Sequence, residues 1–380
     1  MNNECNLSCV YCYTNPSPGP AIRLDLRTIE TAAAVVAESC RRKGKPFYVV
    51  IHGGGEPTLH HEQIDRVMTC LETVAARHKV QLFRYIATNG VMSERKALWL
   101  ARRFDLIGLS CDGPPDIHNI QRAGWDGRGT LHLVERTGHL LREEGCRVHV
   151  RATITQASLR RQREIADYIC QQFSPEEIHF EPVYRCGNVK AADGLSIQQA
   201  GVFAEHYLDA RRMARESGIP LLSSGTRPGS LHGPYCNLFR HVINLVPGEG
   251  VAGRASGVAT ACFKLTTAAQ VQEVRAAIGA LDRRTGRFEI DHRRVQALLP
   301  QLEATMPECD GCFNRFHCAR ECPDRCPLDG EAGSPEDWVP GFRCRVQKTI
   351  ASALLRETAD RLWAEALAKG TEGPHGTAIH

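Results

Sequence analysis

The sequence opens on Cys5-Asn6-Leu7-Ser8-Cys9-Val10-Tyr11-Cys12, three thiols within eight residues, spaced C-x3-C-x2-C, with an aromatic before the last. A loop this short can wrap three thiolates around one face of an iron–sulfur cluster. A 4Fe-4S cube has four iron corners and normally takes four cysteines. Three ligands with no fourth nearby leave one iron open to a small molecule, as the open position does in a catalytic zinc site. The bland alternative is half of a zinc site, which needs a partner Cys/His pair that the neighbouring sequence lacks.

The residues that follow read as a scaffold for this loop. Residues 47–51 are a continuous apolar run ending in His52-Gly53-Gly54-Gly55-Glu56-Pro57. That is the pattern of a buried parallel strand with a glycine-rich loop at its C-terminal end. The unit repeats, with strands expected over 82–87, 106–111, 147–154 and 178–182 and helices over 26–42, 61–78, 93–103, 131–144 and 160–173. Thr88-Asn89-Gly90 and Asp112-Gly113-Pro114 close two of the strands. Such alternation predicts an α/β fold with a parallel sheet, its site built from the loops after the strands. The span of about 180 residues is too short for an eight-fold barrel, so a partial, TIM-like (β/α)6 barrel is expected. A strand should also present the cysteine loop, yet only residues 1–4 precede Cys5; the first strand is expected to be missing, with the true start upstream.

Composition matters at two points. Seventeen cysteines accompany no signal peptide and no run near the roughly 18 apolar residues of a membrane span. The expected setting is cytoplasmic, where thiols stay reduced, so the cysteines point to metal rather than to disulfides. Cys40, Cys70, Cys146 and Cys170 fall in helical segments and Cys111 ends a strand; these read as buried small hydrophobes. The net charge of +4, with scattered basic residues, gives no case for nucleic acid. Cysteines return at Cys236 and Cys262, and densely at Cys309, Cys312, Cys318, Cys322, Cys326 and Cys344. Spacing this dense again demands metal, a zinc ribbon being the competing reading. The chain divides accordingly into a barrel (1–185), a bridge (186–235), a second cysteine-rich region (236–348) and a terminal helix with its tail (349–380).

The triple-cysteine loop heading such an alternation resembles the radical S-adenosylmethionine (radical SAM) enzymes, over about residues 1–185. The resemblance implies that Cys5, Cys9 and Cys12 hold a 4Fe-4S cluster whose open iron binds S-adenosylmethionine. Reductive cleavage then gives a 5′-deoxyadenosyl radical that abstracts hydrogen from the substrate, the hard chemistry belonging to the cofactors. Gly54, Gly55 and Glu56 resemble the family's GGE loop, which meets the ammonium of the ligand. Ser110 and Arg122 match the contacts to its ribose and carboxylate, and Tyr11 would pack by its adenine. Asn89 and Glu181, which end strands on the same face, are further contacts, and Asp112 stands with the three cysteines among the catalytic candidates. The later cysteines resemble the SPASM extension of the superfamily, which holds two auxiliary 4Fe-4S clusters. By position Cys309, Cys312, Cys318 and Cys344 would hold one, and Cys236, Cys262 and Cys322 the other. The second set lacks a clear fourth ligand. Its iron is open, or Cys186 or Cys326 completes it; Cys326 could also displace Cys344.

Twin auxiliary clusters imply an oxidoreductase acting on a peptide or protein. The leading expectation is maturation of a ribosomally synthesised peptide by a crosslink, thioether or related oxidation. An external electron donor such as flavodoxin or ferredoxin is implied. With no leader-binding module before the barrel, peptide recognition falls to the bridge, the tail or a separate leader-binding protein. The first alternative is an anaerobic sulfatase-maturing enzyme that forms formylglycine. Those maturases carry an aspartate, the proton acceptor, directly after the glycine-linked cysteine; here Phe263 follows Cys262, and the general base is lost. The second alternative is a non-catalytic iron–sulfur electron-transfer protein, which would have no use for the Gly54-Gly55-Glu56 loop.

Overall fold

The computed structural model describes residues 2–14, 16, 24–185, 194–231, 233–247 and 257–368. Cys186, most of the linker around 16–20 and the tail from 369 lie outside the described residues.

Five strands form where the apolar runs predict them: β1 (Phe47–Ile51), β2 (Leu82–Thr88), β3 (Leu106–Ser110), β4 (Val148–Ile154) and β5 (Glu177–Pro182). They pair in chain order and all in parallel. Val148, Val150, Ala152 and Ile154 of β4 are buried, while His149, Arg151 and Thr153 between them are more open. Successive residues of a strand face opposite ways, so one face packs under helices and the other lines the barrel interior. The helices are α1 (Leu26–Lys43), α2 (His61–His78), α3 (Glu94–Arg103), α4 (Pro115–Gln121), α5 (Leu131–Glu143) and α6 (Gln162–Phe173). Their local signals are plain in α1: the Asp25 carboxylate accepts from Thr28 N at 2.8 Å, and Gly44 ends the helix at φ +60°.

The sixth strand comes from a different place than expected. No described strand precedes the cysteine loop, which is tied in by an isolated bridge between Leu7 and Gly124. Instead α7 (Ala200–Glu216) leads into β6 (Leu221–Leu222), which pairs with β5 and completes a six-stranded sheet. Two residues are too few to show periodicity, so this strand was illegible. The segment read as a bridge thus supplies the last strand of the sheet. Helix α7 packs between α6 and the long terminal α10 (Phe342–Ala368). That last helix begins at Phe342 rather than near 349, and so carries Cys344.

A second sheet lies beyond. Strands β7 (Asn244–Pro247), β8 (Gly257–Thr260), β9 (Ala277–Asp282) and β10 (Arg287–Ile290) form an antiparallel meander. With α8 (Ala268–Glu273) and α9 (His292–Glu303) it builds a separate small core of Ala259, Ile278, Phe288 and Leu298, joined by Ala32 of α1. A buried ion pair, Arg343 Nε to Asp324 Oδ2 at 2.8 Å, with Arg343 also donating to the Pro182 carbonyl at 3.1 Å, ties α10 and the cysteine-rich region to the end of β5. Among the described residues no helix is long and apolar enough to cross a membrane.

Candidate functional site

The cysteine loop hangs between three loops at the C-terminal ends of β1, β2 and β3. On one side Ser8 N donates to the Ala123 carbonyl (2.9 Å), Val10 N to that of Gln121 (3.1 Å), and Trp125 Nε1 to that of Cys5 (2.9 Å). On the other, Glu56 N donates to the Glu4 carbonyl (2.8 Å). Thr14 Oγ1 donates to the Gly54 carbonyl (2.6 Å) and lies 3.2 Å from Cys12 Sγ. From β2, Asn89 Nδ2 donates to Asn6 Oδ1 (2.8 Å) and approaches Cys5 Sγ at 3.9 Å. Gly55 is required here, because a Cβ on it would lie 2.0 Å from the Glu4 carbonyl oxygen. Asn6, Thr14, Gln121 and Trp125 were missed by sequence reasoning; their only signal is lying within three residues of a cysteine or of Arg122.

Burial pushes the Cys5 thiol up to about 11 and Cys9 to about 12, and the Arg122 guanidinium pulls both the other way. Thiols held neutral by burial release their protons on binding metal. Among the described residues no three cysteine sulfurs lie within 4.8 Å of one another. A tetrahedral zinc ion would hold its sulfurs about 3.8 Å apart. The Cys12 and Cys5 thiols also act on Cys9, and three neighbouring thiols on one loop are the donor type an iron–sulfur cluster takes, so the residues fit the group expected from the sequence.

Two expected roles change. Asp112, taken as catalytic, is wholly buried, and both its oxygens are spent within the protein. Oδ2 accepts from Tyr11 OH (2.6 Å), Gln121 Nε2 (2.9 Å) and Arg122 Nε (3.2 Å), and Oδ1 from Thr153 N (3.0 Å). It holds Tyr11 and Arg122 in place. Glu56, taken as the partner of a ligand ammonium, is also buried. Its Oε1 accepts from Thr58 N (3.0 Å), Thr58 Oγ1 (2.7 Å) and Thr88 Oγ1 (2.8 Å), and its Oε2 from Asn89 N (2.7 Å). Burial raises its pKa while these hydrogen bonds hold it down. The carboxylate anchors the glycine loop to β2, and the half-exposed backbone of Gly53, Gly54 and Gly55 is what remains open to a ligand.

The other candidates gather round. The Arg122 guanidinium lies 5.5 Å from the Tyr11 ring centroid, both residues nearly buried. Ser110 is half-buried at the end of β3, in register with Arg151. Arg151 projects into the barrel interior 3.9 Å from Glu181, whose Oε2 is buried without a protein partner while Oε1 accepts from Ser224 N at 2.9 Å.

The later cysteines form two groups. Cys309, Cys312, Cys318 and Cys344 line one cavity with Met306, Arg315 and Lys348. Burial, with the three neighbouring thiols, pushes Cys318 up to about 12. Cys236, Cys262, Cys322 and Cys326 form the other. Burial raises Cys236 strongly, and the thiols of Cys322, Cys262 and Cys326 add to it. Of the completions left open, the structure brings Cys326 to this second group and keeps Cys344 in the first. Lys264 borders the second group, its Nζ donating to the Pro323 carbonyl at 2.7 Å. Four aromatic rings join the two cysteine-bearing ends of the molecule. Tyr13 meets Tyr184 at 5.7 Å and Phe263 at 6.4 Å, and Phe263 meets Tyr235 at 5.9 Å.

Residues 1–156 match the family model described as the Radical SAM superfamily. A Fe-coproporphyrin III synthase of Methanosarcina barkeri is 26% identical over 224 residues, 58% of this chain and 52% of the relative. A Cysteine-type anaerobic sulfatase-maturating enzyme of Clostridium perfringens is 25% identical over 193 residues, 49% of this chain and 50% of the relative. The chain thus spans about half the length of the curated relatives it matches. The solved structure of native anSMEcpe with bound AdoMet and Kp18Cys peptide has the same fold, with TM-score 0.67 and 18% identity, over 94% of this chain and 97% of that one.

Proposed function

We propose, from the match of residues 1–156 to the Radical SAM superfamily model, that the chain is a peptide-modifying oxidoreductase that matures a ribosomally synthesised peptide by a crosslink, thioether or related oxidation. Under this reading Cys5, Cys9 and Cys12 hold a 4Fe-4S cluster. The backbone of Gly54 and Gly55, with Asn89 and Ser110, receives S-adenosylmethionine, and Tyr11 and Arg122 brace the loop. S-adenosylmethionine bound at such a cluster supplies hydrogen-atom abstraction from an unactivated C–H bond. Cys309, Cys312, Cys318 and Cys344 hold one auxiliary 4Fe-4S cluster, and Cys236, Cys262, Cys322 and Cys326 the other. The barrel spans 1–185, the bridge 186–235, the auxiliary region 236–348 and the terminal helix and tail 349–380, with α7 and β6 lending bridge residues to the barrel. Electrons come from an external flavodoxin or ferredoxin, and a reducing cytoplasm suits so many thiols.

The observation that carries the peptide reading is Phe263. It stands directly after Cys262 and packs edge-on against Tyr13 and Tyr235. Under this reading the aromatic rings shield the space between the cysteine groups from water and present apolar surface to a side chain. The interior pair Arg151 and Glu181 offers charged anchors for a peptide backbone or terminus. Support also comes from the likeness in fold to anSMEcpe, which was solved with a peptide. The similarity to the sulfatase-maturating enzyme favours a second reading, formylglycine formation. Phe263 argues against it, because an aromatic ring cannot take the proton that this chemistry releases.

The test is anaerobic reconstitution with S-adenosylmethionine and a reductant. Peptides from neighbouring short reading frames are compared with a sulfatase-type cysteine peptide. We expect 5′-deoxyadenosine, and a peptide losing hydrogen only among the former. Formylglycine in the latter would reverse the ranking. Absence of 5′-deoxyadenosine would leave the electron-transfer reading standing.

A further inference from the structure

At the N-terminal ends of β4 and β5, opposite the cysteine loop, His149, Glu177 and His179 share the interior face of the barrel. The register pairs His149 with Glu177, and His179 follows two residues on, on the same side. One donor atom from each residue lies within 4.8 Å of the other two. His149 Nδ1 is 3.6 Å from Glu177 Oε1, and His179 Nε2 contacts that same oxygen. We propose that these three side chains bind a divalent transition-metal ion of the zinc type, separate from any cysteine-held cluster.

Two imidazoles and one carboxylate are a donor set that zinc takes while keeping a fourth position open. With zinc–nitrogen and zinc–oxygen bonds of about 2.1 Å, tetrahedral donors stand about 3.4 Å apart, close to the observed His149–Glu177 separation. All three residues sit on paired strands, so the site is preformed rather than gathered from loops. The surroundings orient it. His149 Nε2 faces Glu176 Oε2 at 3.7 Å, which turns Nδ1 inward as the ligating nitrogen. Glu176 in turn pairs with Arg147 at 2.8 Å, and Arg227 lies near Glu177. A plain ion-pair network does not finish the account, because His179 Nδ1 is buried and meets no protein partner. Arg151 stands in register with His179, and a fourth ligand there would be water or an anionic group.

The test uses the cluster-loaded holoprotein, so that its thiols are already occupied, and zinc itself as the probe. Calorimetric titration and metal analysis after desalting should find one zinc per chain beyond the clusters. The pair His149→Gln with His179→Gln should lose it, and Glu177→Gln should weaken it at least tenfold. Iron content and far-ultraviolet circular dichroism report whether a variant has kept its fold. Anomalous scattering at the zinc edge from wild-type crystals gives a readout free of that concern, with a peak expected among the three side chains. Equal zinc uptake by wild type and the double variant, or no peak at this position, overturns the proposal. Neither readout depends on whether the enzyme acts on a peptide.

Discussion

Tyr13 and Phe263 meet edge to face, ring centroids 6.4 Å apart and planes at 79°, and each directly follows a cysteine, Cys12 and Cys262. One contact therefore links the N-terminal cysteine loop to the second group of later cysteines. Phe263→Ala removes two edge contacts, with Tyr13 and Tyr235. Each contact is worth roughly 1 kcal/mol, and with the two positioning the peptide as proposed, product formation should fall about tenfold or more. S-adenosylmethionine cleavage without peptide should stay within about threefold, since the glycine loop is untouched. Parallel assays of 5′-deoxyadenosine and modified peptide check this; equal loss in both would assign Phe263 to the loop instead.

Asp112→Asn keeps the shape but removes the charge from a buried carboxylate that pairs with Arg122. An amide cannot accept from Tyr11, Gln121, Arg122 and Thr153 together, and Arg122 is left as an uncompensated buried cation. A loss of about 3–5 kcal/mol in stability follows. Urea unfolding of the two proteins measures it. A change under about 1 kcal/mol would show that the network is not what secures the site.

Cys326→Ala separates the two ways of partitioning the later cysteines. The wild-type protein should hold about twelve irons per chain, three clusters of four. With Cys326 in the second group, the variant should lose or degrade that cluster alone, toward about eight irons. Cys344→Ala should act on the other cluster, with a different electron paramagnetic resonance signal retained. About four irons in the wild type would refute both auxiliary clusters.

His118 provides a pH test. Burial lowers its pKa from the ordinary 6.5 to about 4, and its Nδ1 accepts from Asp112 N at 3.2 Å, which requires the neutral ring. Below pH 6.5 the unfolded chain takes up the proton first, so the unfolded state binds more protons and stability falls with falling pH. The contribution is intact above about 6.5 and lost as pH drops through 4, on the order of 3 kcal/mol in total. His118→Asn can keep the acceptor without the titration. The stability difference between wild type and variant should shrink or invert from pH 7.5 to 5. A difference independent of pH would contradict this assignment.

The cysteine loop, the glycine loop after β1 and five of six barrel strands were legible in the sequence, because each rests on a local pattern. A two-residue strand such as β6 and the four-residue strands β7, β8 and β10 are too short to show periodicity, and form because neighbours supply their pairing.

By itself the sequence determined which residue types crowd one end of a parallel barrel and that thiols would gather twice more downstream. Tertiary structure decided where each side chain points. Glu56 turns toward Thr88 and Asn89, and Asp112 toward Tyr11, Gln121 and Thr153. The donors that capture these carboxylates lie on other elements, up to 101 residues away in the chain. Once buried, a carboxylate is bound by whichever donors surround it, and spacing along the chain does not reveal them. The same holds for Cys344 and Cys326: the start of α10 and the turn after Cys322 allot them to different groups, a choice made by packing and not by C-x-C intervals.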